Sequence, residues 1–314
     1  SRGLVGSEMC IRDRWMTDDR TANDPVSDLK NLLQSGVAIP TPGVNDPLTA
    51  ILADRMGFRC IYFSGAAFSA SLGIPDIGLF SVDQLIDSVK WITRSTNLPL
   101  IVDIDTGFGE AVNVVRVIKE LEYLGVAAVQ LEDQVSPKRC GHLDGKQIVS
   151  EQQYVEKLKA ALAARENMLI IARTDSRDVY SFEEAVKRGT LYRDSGADVI
   201  FPEALESIDE FKQFAIKVKA PLLANMTEFG KSPLLTVDDL GDIGYSLVIY
   251  PATGQRAALG AIKKAFTNIK DCGSQIDSLS DMMNRSQIYD LIDYEKFSEL
   301  DAKIAPTITK KSGF

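Results

Sequence analysis

The chain has one histidine and no closely paired cysteines, and both shortages limit its chemistry. The only histidine is His142, and the four cysteines, Cys10, Cys60, Cys140 and Cys272, are far apart with no CxxC pair. Zinc knuckles and disulfide frameworks need closely spaced or regularly patterned cysteines, so neither is indicated. The scattered thiols predict a reducing, cytoplasmic setting.

Long apolar runs and an excess of positive charge are also missing. No apolar run approaches the ~20 residues that span a bilayer, so no membrane partner is predicted. The net charge is −9, whereas a nucleic-acid-binding surface needs an excess of lysine and arginine. An acidic protein that binds a small anionic substrate must gather its cations locally, as the pair Lys138 and Arg139 would do.

Residues 1–24 lack the apolar period of the rest of the chain. No apolar stretch follows the early arginine, so this segment has no signal-peptide pattern. Residues 7–14 resemble translated sequencing-adapter sequence. We therefore expect residues 1–24 to be disordered or foreign to the protein, with a native start at Met16.

From about residue 37 onward, short apolar runs alternate with longer stretches of helical spacing. The runs, each predicted to be a strand, cover residues 37–40, 60–63, 98–102, 126–131, 168–172, 198–201, 221–224 and 246–250. Ser81, Ser150 and Ser181 each precede a Gln or Glu by three residues, which is the capping-box pattern of a helix start. The alternation therefore predicts an α/β fold.

Eight strand–helix units over roughly 230 residues predict a (β/α)8 barrel of the TIM type. We place it at residues 25–271. The alternative is an open doubly wound sheet, which usually has a glycine-rich phosphate loop after its first strand. Here that strand ends in Thr41, Pro42 and Gly43 instead. Residues 272–314 lose the period and predict a helical extension, with apolar residues that the barrel does not need: Met282, Met283, Ile288, Tyr289, Leu291, Ile292, Tyr294 and Phe297.

Acidic residues follow two of the predicted strands. Asp103 and Asp105 lie two residues apart, so the strand period puts both on one face. Together with Glu132 and Asp133 after the next strand, they predict a site for a hard divalent cation, Mg²⁺ with Mn²⁺ as the alternative. Any one of these acids could equally cap the following helix, but the set favours a metal site.

One short segment holds two cations, a thiol and an imidazole: Lys138, Arg139, Cys140 and His142. Positive charge beside Cys140 predicts a lowered thiol pKa and a role as proton carrier or nucleophile. Cys60, in contrast, lies in an apolar run and is predicted to be a buried packing residue.

Two more features have alternative interpretations that the residues alone leave open. Arg173 and Glu203 could form a plain salt bridge across the barrel mouth, and Tyr62 could be a core aromatic.

The chain resembles the isocitrate lyase and phosphoenolpyruvate mutase superfamily over residues 35–301. The segments that carry the resemblance are 62–66, 75–76, 103–109, 132–134, 138–142, 172–175, 201–204 and 225–230. It implies a TIM-type barrel and a Mg²⁺-dependent carbon–carbon lyase. The catalytic residues that it implies are Cys140, Tyr62, His142, Lys138 and Arg173. The implied metal ligands are Asp76, Asp103, Asp105 and Glu132. The implied substrate-binding residues are Ser64, Gly65, Ala66, Arg139, Gly141, Phe201, Glu203, Asn225, Thr227 and Arg256.

The run at residues 138–142 resembles the lyase branch, because the mutase and phosphonopyruvate hydrolase branches lack the cysteine. Among lyases the chain is most similar to those that cleave 2-methylisocitrate to pyruvate and succinate, and next to those that cleave 2,3-dimethylmalate. Cys140 disfavours a phosphonomutase or an oxaloacetate hydrolase. Phe201 matches the methyl-accepting branch, while Ala252 lies where those enzymes carry a larger apolar residue. The resemblance also implies a homotetramer that exchanges a C-terminal helix.

Overall fold

The computed structural model describes residues 24–304, which form two compact units, residues 24–257 and 258–304. Apart from Asp24, the segment predicted to be foreign lies outside the described residues, as do residues 305–314 of the predicted extension. The predicted boundary at residue 271 stays a prediction.

Strands and helices alternate through the first unit. They are α1 Pro25–Gln34, β1 Ile39–Pro42, α2 Pro47–Arg55, β2 Ile61–Phe63, α3 Gly65–Ser71, α4 Val82–Ser95, β3 Leu100–Asp103, α5 Ala111–Tyr123, β4 Ala128–Glu132, α6 Glu151–Ala164, β5 Leu169–Thr174, α7 Ser176–Val179, α8 Phe182–Asp194, β6 Val199–Pro202, α9 Ile208–Val218, β7 Leu223–Asn225, α10 Val237–Ile243 and β8 Leu247–Tyr250. All eight predicted strand runs overlap a strand, so the predicted α/β fold is confirmed.

The helix starts follow the predicted capping patterns. Ser81 and Ser150 form full capping boxes with Gln84 and Gln153, in which each side chain accepts a hydrogen bond from the other residue's backbone N–H. Ser181 makes only the first half of the pattern, because its hydroxyl accepts from the backbone N–H three residues on.

All strand pairs are parallel. One sheet has the order β1-β8-β7 and the other the order β2-β3-β4-β5-β6. Single parallel bridges join Gly43 to Tyr62 and Ile200 to Leu222. The order within each sheet lacks the reversal that a doubly wound sheet requires. In parallel sheets of this kind the carboxyl ends of the strands share one edge, and the site residues lie there.

The core of the first unit has two layers. The larger one packs the strands against the helices, and the smaller one draws residues from all eight strands. Leu29 of α1 belongs to the smaller layer together with Tyr62 and Phe201. Cys60 is fully buried in the same layer, as expected for a packing residue.

The second unit is helical. Helix α11, Thr253–Cys272, runs across the division, and a 3₁₀ helix, Ile276–Asp281, precedes α12, Arg285–Leu291, and α13, Tyr294–Ile304. Leu291 is buried, but most other large apolar side chains of this unit are exposed. No helix within residues 24–304 combines the length and apolar character needed to cross a membrane.

Candidate active site

Three buried carboxylates form the centre of the site. Asp103 ends β3, Asp105 follows two residues later, and Glu132 ends β4. Their ligand atoms lie within 4.8 Å of one another. The backbone N–H groups of Gly65 and Asp105 each donate to Asp103 at 3.1 Å, which fixes this carboxylate in place.

The other two carboxylates have few partners in the protein. Within the described residues, the oxygens of Asp105 and Glu132 have no polar partner other than one cation each. Each has one close cation: Lys138 Nζ lies 2.9 Å from Asp105, and Arg173 lies 3.1 Å from Glu132. Buried carboxylate oxygens without hydrogen bonds are costly, so this geometry favours a bound cation.

The ionisation of the three acids points the same way. Burial raises the pKa of Asp105 to about 7, although Lys138 opposes the shift. Burial also raises the pKa of Glu132 well above its usual range, and the pKa of Asp103. Three acids that resist ionisation side by side fit a divalent metal ion, which prefers oxygen ligands and compensates their charge.

Gly65 leaves room beside this acidic triad, Asp103, Asp105 and Glu132. A Cβ at residue 65 would lie 3.0 Å from Asp105 Oδ1 and 3.1 Å from Asp103 Oδ2. A larger residue would therefore press on the metal ligands.

Two other predicted acids lie outside the triad. Asp76 pairs with Lys138, the lysine that also contacts Asp105. Direct metal binding by Asp76 therefore stays a prediction. Asp133 accepts from Thr174 Oγ1 at 2.7 Å and from Tyr192 OH at 2.8 Å. The expectation that Asp133 joins the metal site was wrong, because its carboxylate is already satisfied away from the triad.

Arg173 connects the triad to the rest of the site. Its guanidinium lies 3.1 Å from Glu132, 2.9 Å from Asp175 and 3.3 Å from Glu203. Its charged group also lies over the Phe201 ring, 5.3 Å from the centroid. The pair Arg173–Glu203 is thus part of a buried network, rather than the plain salt bridge that the sequence left open.

His142 is held in one tautomer. Its Nδ1 accepts the backbone N–H of Lys231 at 3.0 Å, and its Nε2 lies 3.1 Å from Glu203 Oε1. The Nδ1 atom therefore carries no proton, and Nε2–H donates to Glu203. Burial opposes ionisation of Glu203, but Arg173 and His142 together hold its pKa well below the usual range.

Asn225 and Thr227 extend this cluster at the end of β7. The Asn225 amide donates to Glu203 Oε2 at 3.2 Å, and its carbonyl accepts the Thr227 N–H at 3.1 Å. Arg256 donates to Thr227 Oγ1 at 3.3 Å and to the carbonyl of Glu228 at 2.8 Å. These predicted residues are brought together.

The Cys140 thiol differs from its prediction. Burial raises its pKa, while the backbone N–H of His142 and the charge of Arg173 act only in the opposite direction. The predicted lowering of the thiol pKa was wrong, because desolvation, together with the charges of Asp76 and Glu203, outweighs these two effects. A thiol with a raised pKa is protonated at neutral pH and suits proton donation better than nucleophilic attack.

Gly141 packs directly against the site. A Cβ at this position would lie 2.4 Å from a guanidinium nitrogen of Arg173 and 2.8 Å from Glu203 Oε2. Only glycine allows the loop at residues 138–142, called the Cys140 loop below, to approach Arg173 this closely.

The first predicted segment lies at the end of β2. Tyr62 is buried and its hydroxyl donates to Gln130 Oε1 at 2.7 Å. Burial, with help from Asp103, raises the Tyr62 pKa well above its usual range, so the phenol is neutral. Ser64 caps α3 by accepting the Ala67 N–H at 3.3 Å, and Ala66 follows in the first turn.

Arg139 is not brought into the cluster. Its side chain is exposed, and its guanidinium lies 3.4 Å from the carbonyl of Asp144. Its backbone N–H and carbonyl are both held by the Gln134 side chain, at 2.9 and 2.8 Å.

Among the buried polar residues that sequence reasoning missed, Gln130 and Lys146 lie next to the site. Gln130 could have been found, because it lies two residues before Glu132 on β4 and therefore on the same face. Lys146 contacts Asp175 and the carbonyl of Gly141. No local pattern marks Lys146, since its contacts join a loop to the end of β5.

Known proteins match the chain over most of its length. The family model described as phosphoenolpyruvate phosphomutase matches residues 29–270. A 2-methylisocitrate lyase of Aeropyrum pernix is 50% identical over 277 residues, covering 88% of this chain and 90% of that protein. The 2-methylisocitrate lyase of Bacillus subtilis is 42% identical, covering 94% and 98%. A 2,3-dimethylmalate lyase of Eubacterium barkeri is 39% identical, covering 88% and 97%.

Solved structures agree with these relatives. The trigonal crystal form of 2,3-dimethylmalate lyase, a PEP mutase/isocitrate lyase superfamily member, superposes with a TM-score of 0.85 at 31% identity, covering 93% of this chain and 99% of that one. Phosphonopyruvate hydrolase in complex with oxalate and Mg²⁺ gives a TM-score of 0.82 at 31% identity, covering 90% and 99%. The chain therefore belongs to the phosphoenolpyruvate mutase/isocitrate lyase superfamily.

Proposed function

We propose that this protein is a Mg²⁺-dependent lyase that cleaves 2-methylisocitrate to pyruvate and succinate. One observation carries the proposal. Arg173 contacts both the buried carboxylate triad and the loop that holds the protonated thiol of Cys140, so the two belong to one network. Relatives named 2-methylisocitrate lyase, at 42–50% identity over most of the chain, support this substrate.

Asp103, Asp105 and Glu132 would hold the metal, and the oxygens of Asp105 and Glu132, which lack other hydrogen-bond partners among the described residues, fit it. When bound there, Mg²⁺, or Mn²⁺ in its place, supplies Lewis-acid stabilisation of negative charge on substrate oxygens. Asp76 supports the site by holding Lys138 beside Asp105.

The thiol supplies the proton that completes the reaction. The substrate hydroxyl gives its proton to a base, and the adjacent carbon–carbon bond breaks. The bonding electrons pass to the carbon next to the departing fragment's carboxylate. The S–H bond of Cys140 then breaks and a C–H bond forms on that carbon, giving succinate, while the hydroxyl-bearing fragment becomes pyruvate. A neutral thiol is the form that this step needs.

One cation, Arg173, and neutral hydrogen-bonding side chains hold the negative charge that develops on the departing fragment. Arg173, His142, Asn225 and Thr227 form one hydrogen-bonded cluster suited to a carboxylate. Lys138 adds a second buried cation beside the triad. The remaining predicted contacts, including Arg139, Ser64 and Ala66, are assigned to substrate binding by resemblance alone.

A substrate panel tests the proposal. With Mg²⁺ present, we expect 2-methylisocitrate to give pyruvate with a kcat/KM at least about tenfold above that of 2,3-dimethylmalate, a difference within the range that one pocket contact supplies. Isocitrate, phosphonopyruvate and oxaloacetate serve as controls. Faster turnover of oxaloacetate or phosphonopyruvate than of either methylated acid would contradict the proposed lyase.

The alternative is a 2,3-dimethylmalate lyase. The Eubacterium barkeri enzyme of that name is 39% identical over 280 residues, and this similarity supports 2,3-dimethylmalate as the alternative substrate. The same panel decides between the two, because both substrates release pyruvate and differ only in the second product.

The proposal also covers closure of the barrel, assembly of the subunits and location in the cell. The two sheets close into a (β/α)8 barrel, which the pairing of β1 with β8 and the two single bridges support. The chain forms a homotetramer in which the C-terminal helices pack on a neighbour, since so much of their apolar surface is exposed. Free thiols at Cys60, Cys140 and Cys272 support a cytoplasmic location.

A further inference from the structure

Lys146 is a buried lysine that the proposed reaction does not use. Its side chain is 0% exposed, and its ammonium donates to the carbonyl of Gly141. The same ammonium lies 3.1 Å from Asp175 Oδ1 and 3.3 Å from Asp178 Oδ2. An ammonium has three donors, and here three acceptors surround it, so its position is fully determined.

One end of this contact lies in the loop that carries the thiol. Gly141 stands between Cys140 and His142, and its backbone packs on Arg173. Other groups hold the neighbouring residues: Gln134 holds the backbone of Arg139, and the N–H of Lys231 holds the His142 ring. Lys146 thus anchors the backbone directly after Cys140, as Gln134 anchors it directly before.

The other end lies on a rigid support. Asp175 accepts two hydrogen bonds from Arg173, at 2.9 and 3.1 Å, and its backbone N–H donates to Asp133 at 2.9 Å. Lys146 therefore connects the Cys140 loop to the same carboxylate that orients Arg173.

Charge compensation alone does not explain this lysine. Asp175 already pairs with Arg173, and Asp178 already pairs with Lys231. Both carboxylates would keep a cation without Lys146, whereas the carbonyl of Gly141 would lose its ammonium donor.

We infer that Lys146 is a positioning residue that holds Cys140 and His142 in place against Arg173. Its consequence for catalysis rests on the proposed function, but its effect on the loop does not. Three cysteines, Cys60, Cys140 and Cys272, provide a direct measurement of the loop, because each of them reports a different event when the protein is alkylated.

The experiment measures iodoacetamide labelling of each cysteine by mass spectrometry in the full chain and in Lys146→Met. Cys272 is exposed and reports intrinsic reactivity, whereas Cys60 is fully buried, with its pKa raised to about 12, and reports global unfolding. We expect the labelling rate of Cys140, relative to Cys272, to rise about tenfold in Lys146→Met. Losing a hydrogen bond to a charged group shifts the equilibrium between the held and the released loop by about that factor. The rate at Cys60 should not change.

The control is Lys157→Met, which removes another buried lysine that donates to a backbone carbonyl, that of Thr106, at 3.3 Å. It should leave the Cys140-to-Cys272 ratio within about twofold of wild type. A ratio equally unchanged in Lys146→Met, or a rise at Cys140 matched by one at Cys60, would overturn the inference. If Lys146→Met does not fold, Lys146→Gln carries the same test with the same outcomes.

Activity gives a second readout. We expect Lys146→Met to lower kcat by about tenfold or more with a smaller change in KM, because a displaced catalytic group impairs chemistry more than binding. If wild type shows no lyase activity while Cys140 labelling still rises in the variant, the proposed function fails and the positioning role stands.

Discussion

The acidic triad and the Cys140 loop meet in one site, yet their polar groups are satisfied in opposite ways. Within the described residues, the oxygens of Asp105 and Glu132 have one cation each as their only polar partner. In the loop, both ring nitrogens of His142 have partners, and Lys146 holds the carbonyl of Gly141. Two carboxylates of the triad thus have oxygens that suit the proposed metal ion, whereas the polar groups of the loop are satisfied by the chain itself. Substitutions in the two parts should therefore fail differently.

The largest effect is expected from the triad. Asp105→Asn keeps the shape of the side chain but removes a ligand charge, so Mg²⁺ binding measured by calorimetry should be lost. Activity should fall at least about 10³-fold, since Lewis-acid stabilisation contributes several kcal/mol. The metal-free melting temperature should not fall, because burial disfavours the charged form of Asp105 and Lys138 keeps Asp76 as its partner.

Asp103 provides the matched comparison. Its carboxylate accepts the N–H groups of Gly65 and Asp105, so Asp103→Ala should lose both metal binding and stability. Mg²⁺ affinity within about threefold of wild type in both variants would show that the triad does not bind the metal.

The loop should fail by losing chemistry while it keeps binding. Cys140→Ser should lower kcat by about 10²-fold or more, because a hydroxyl is a much weaker acid than a thiol. Mg²⁺ affinity and the melting temperature should stay as in wild type, which distinguishes this variant from Asp105→Asn.

Cys272→Ser is the control, since Cys272 is exposed outside the site-bearing unit. Its activity should match wild type. If Cys140→Ser kept activity within about threefold of wild type, proton donation by the thiol would be wrong.

A smaller, graded effect should come from pH. Metal binding requires ionised carboxylates, and burial raises the pKa of Asp105 to about 7. Mg²⁺ affinity should therefore fall as the pH drops below about 7, by up to about tenfold per pH unit for each proton taken up. Calorimetric titrations at several pH values would measure this slope, and an affinity independent of pH would contradict it.

The metal-free protein should show the opposite trend. An acid whose folded-state pKa lies above its unfolded value adds stability while protonated, and that contribution is lost as the pH rises from about 4 to about 7. Asp105→Asn has no such group, so its melting temperature relative to wild type should increase over this range. A constant difference would mean that Asp105 ionises normally.

The sequence predicted the secondary-structure elements better than it predicted the surroundings of individual side chains. Strand runs and capping serines depend on local pattern, and the strands and the Ser81 and Ser150 caps appear as expected. The Cys140 pKa was mispredicted because desolvation depends on what the fold packs around the thiol, which adjacent residues do not reveal. Asp133 was misplaced for a similar reason, since its partners Tyr192 and Thr174 lie 59 and 41 residues away.

The smallest effect on the chemistry should come from the C-terminal unit. Leu259, Ile262 and Phe266 line an open groove on α11, and Phe266 is 67% exposed. If a neighbouring subunit covers this surface, Phe266→Glu should shift a wild-type tetramer to smaller species in light scattering. Both halves of the site are contributed by residues 24–257 of one chain, so kcat should stay within about threefold of wild type, as for surface substitutions away from a site.

Met56→Glu, at a residue as exposed as Phe266 at the end of α2, is the control and should leave the tetramer intact. A wild-type protein that is monomeric at micromolar concentration would contradict the tetramer. A large loss of kcat on dissociation would show instead that the Cys140 loop or the triad needs the neighbouring subunit to complete it.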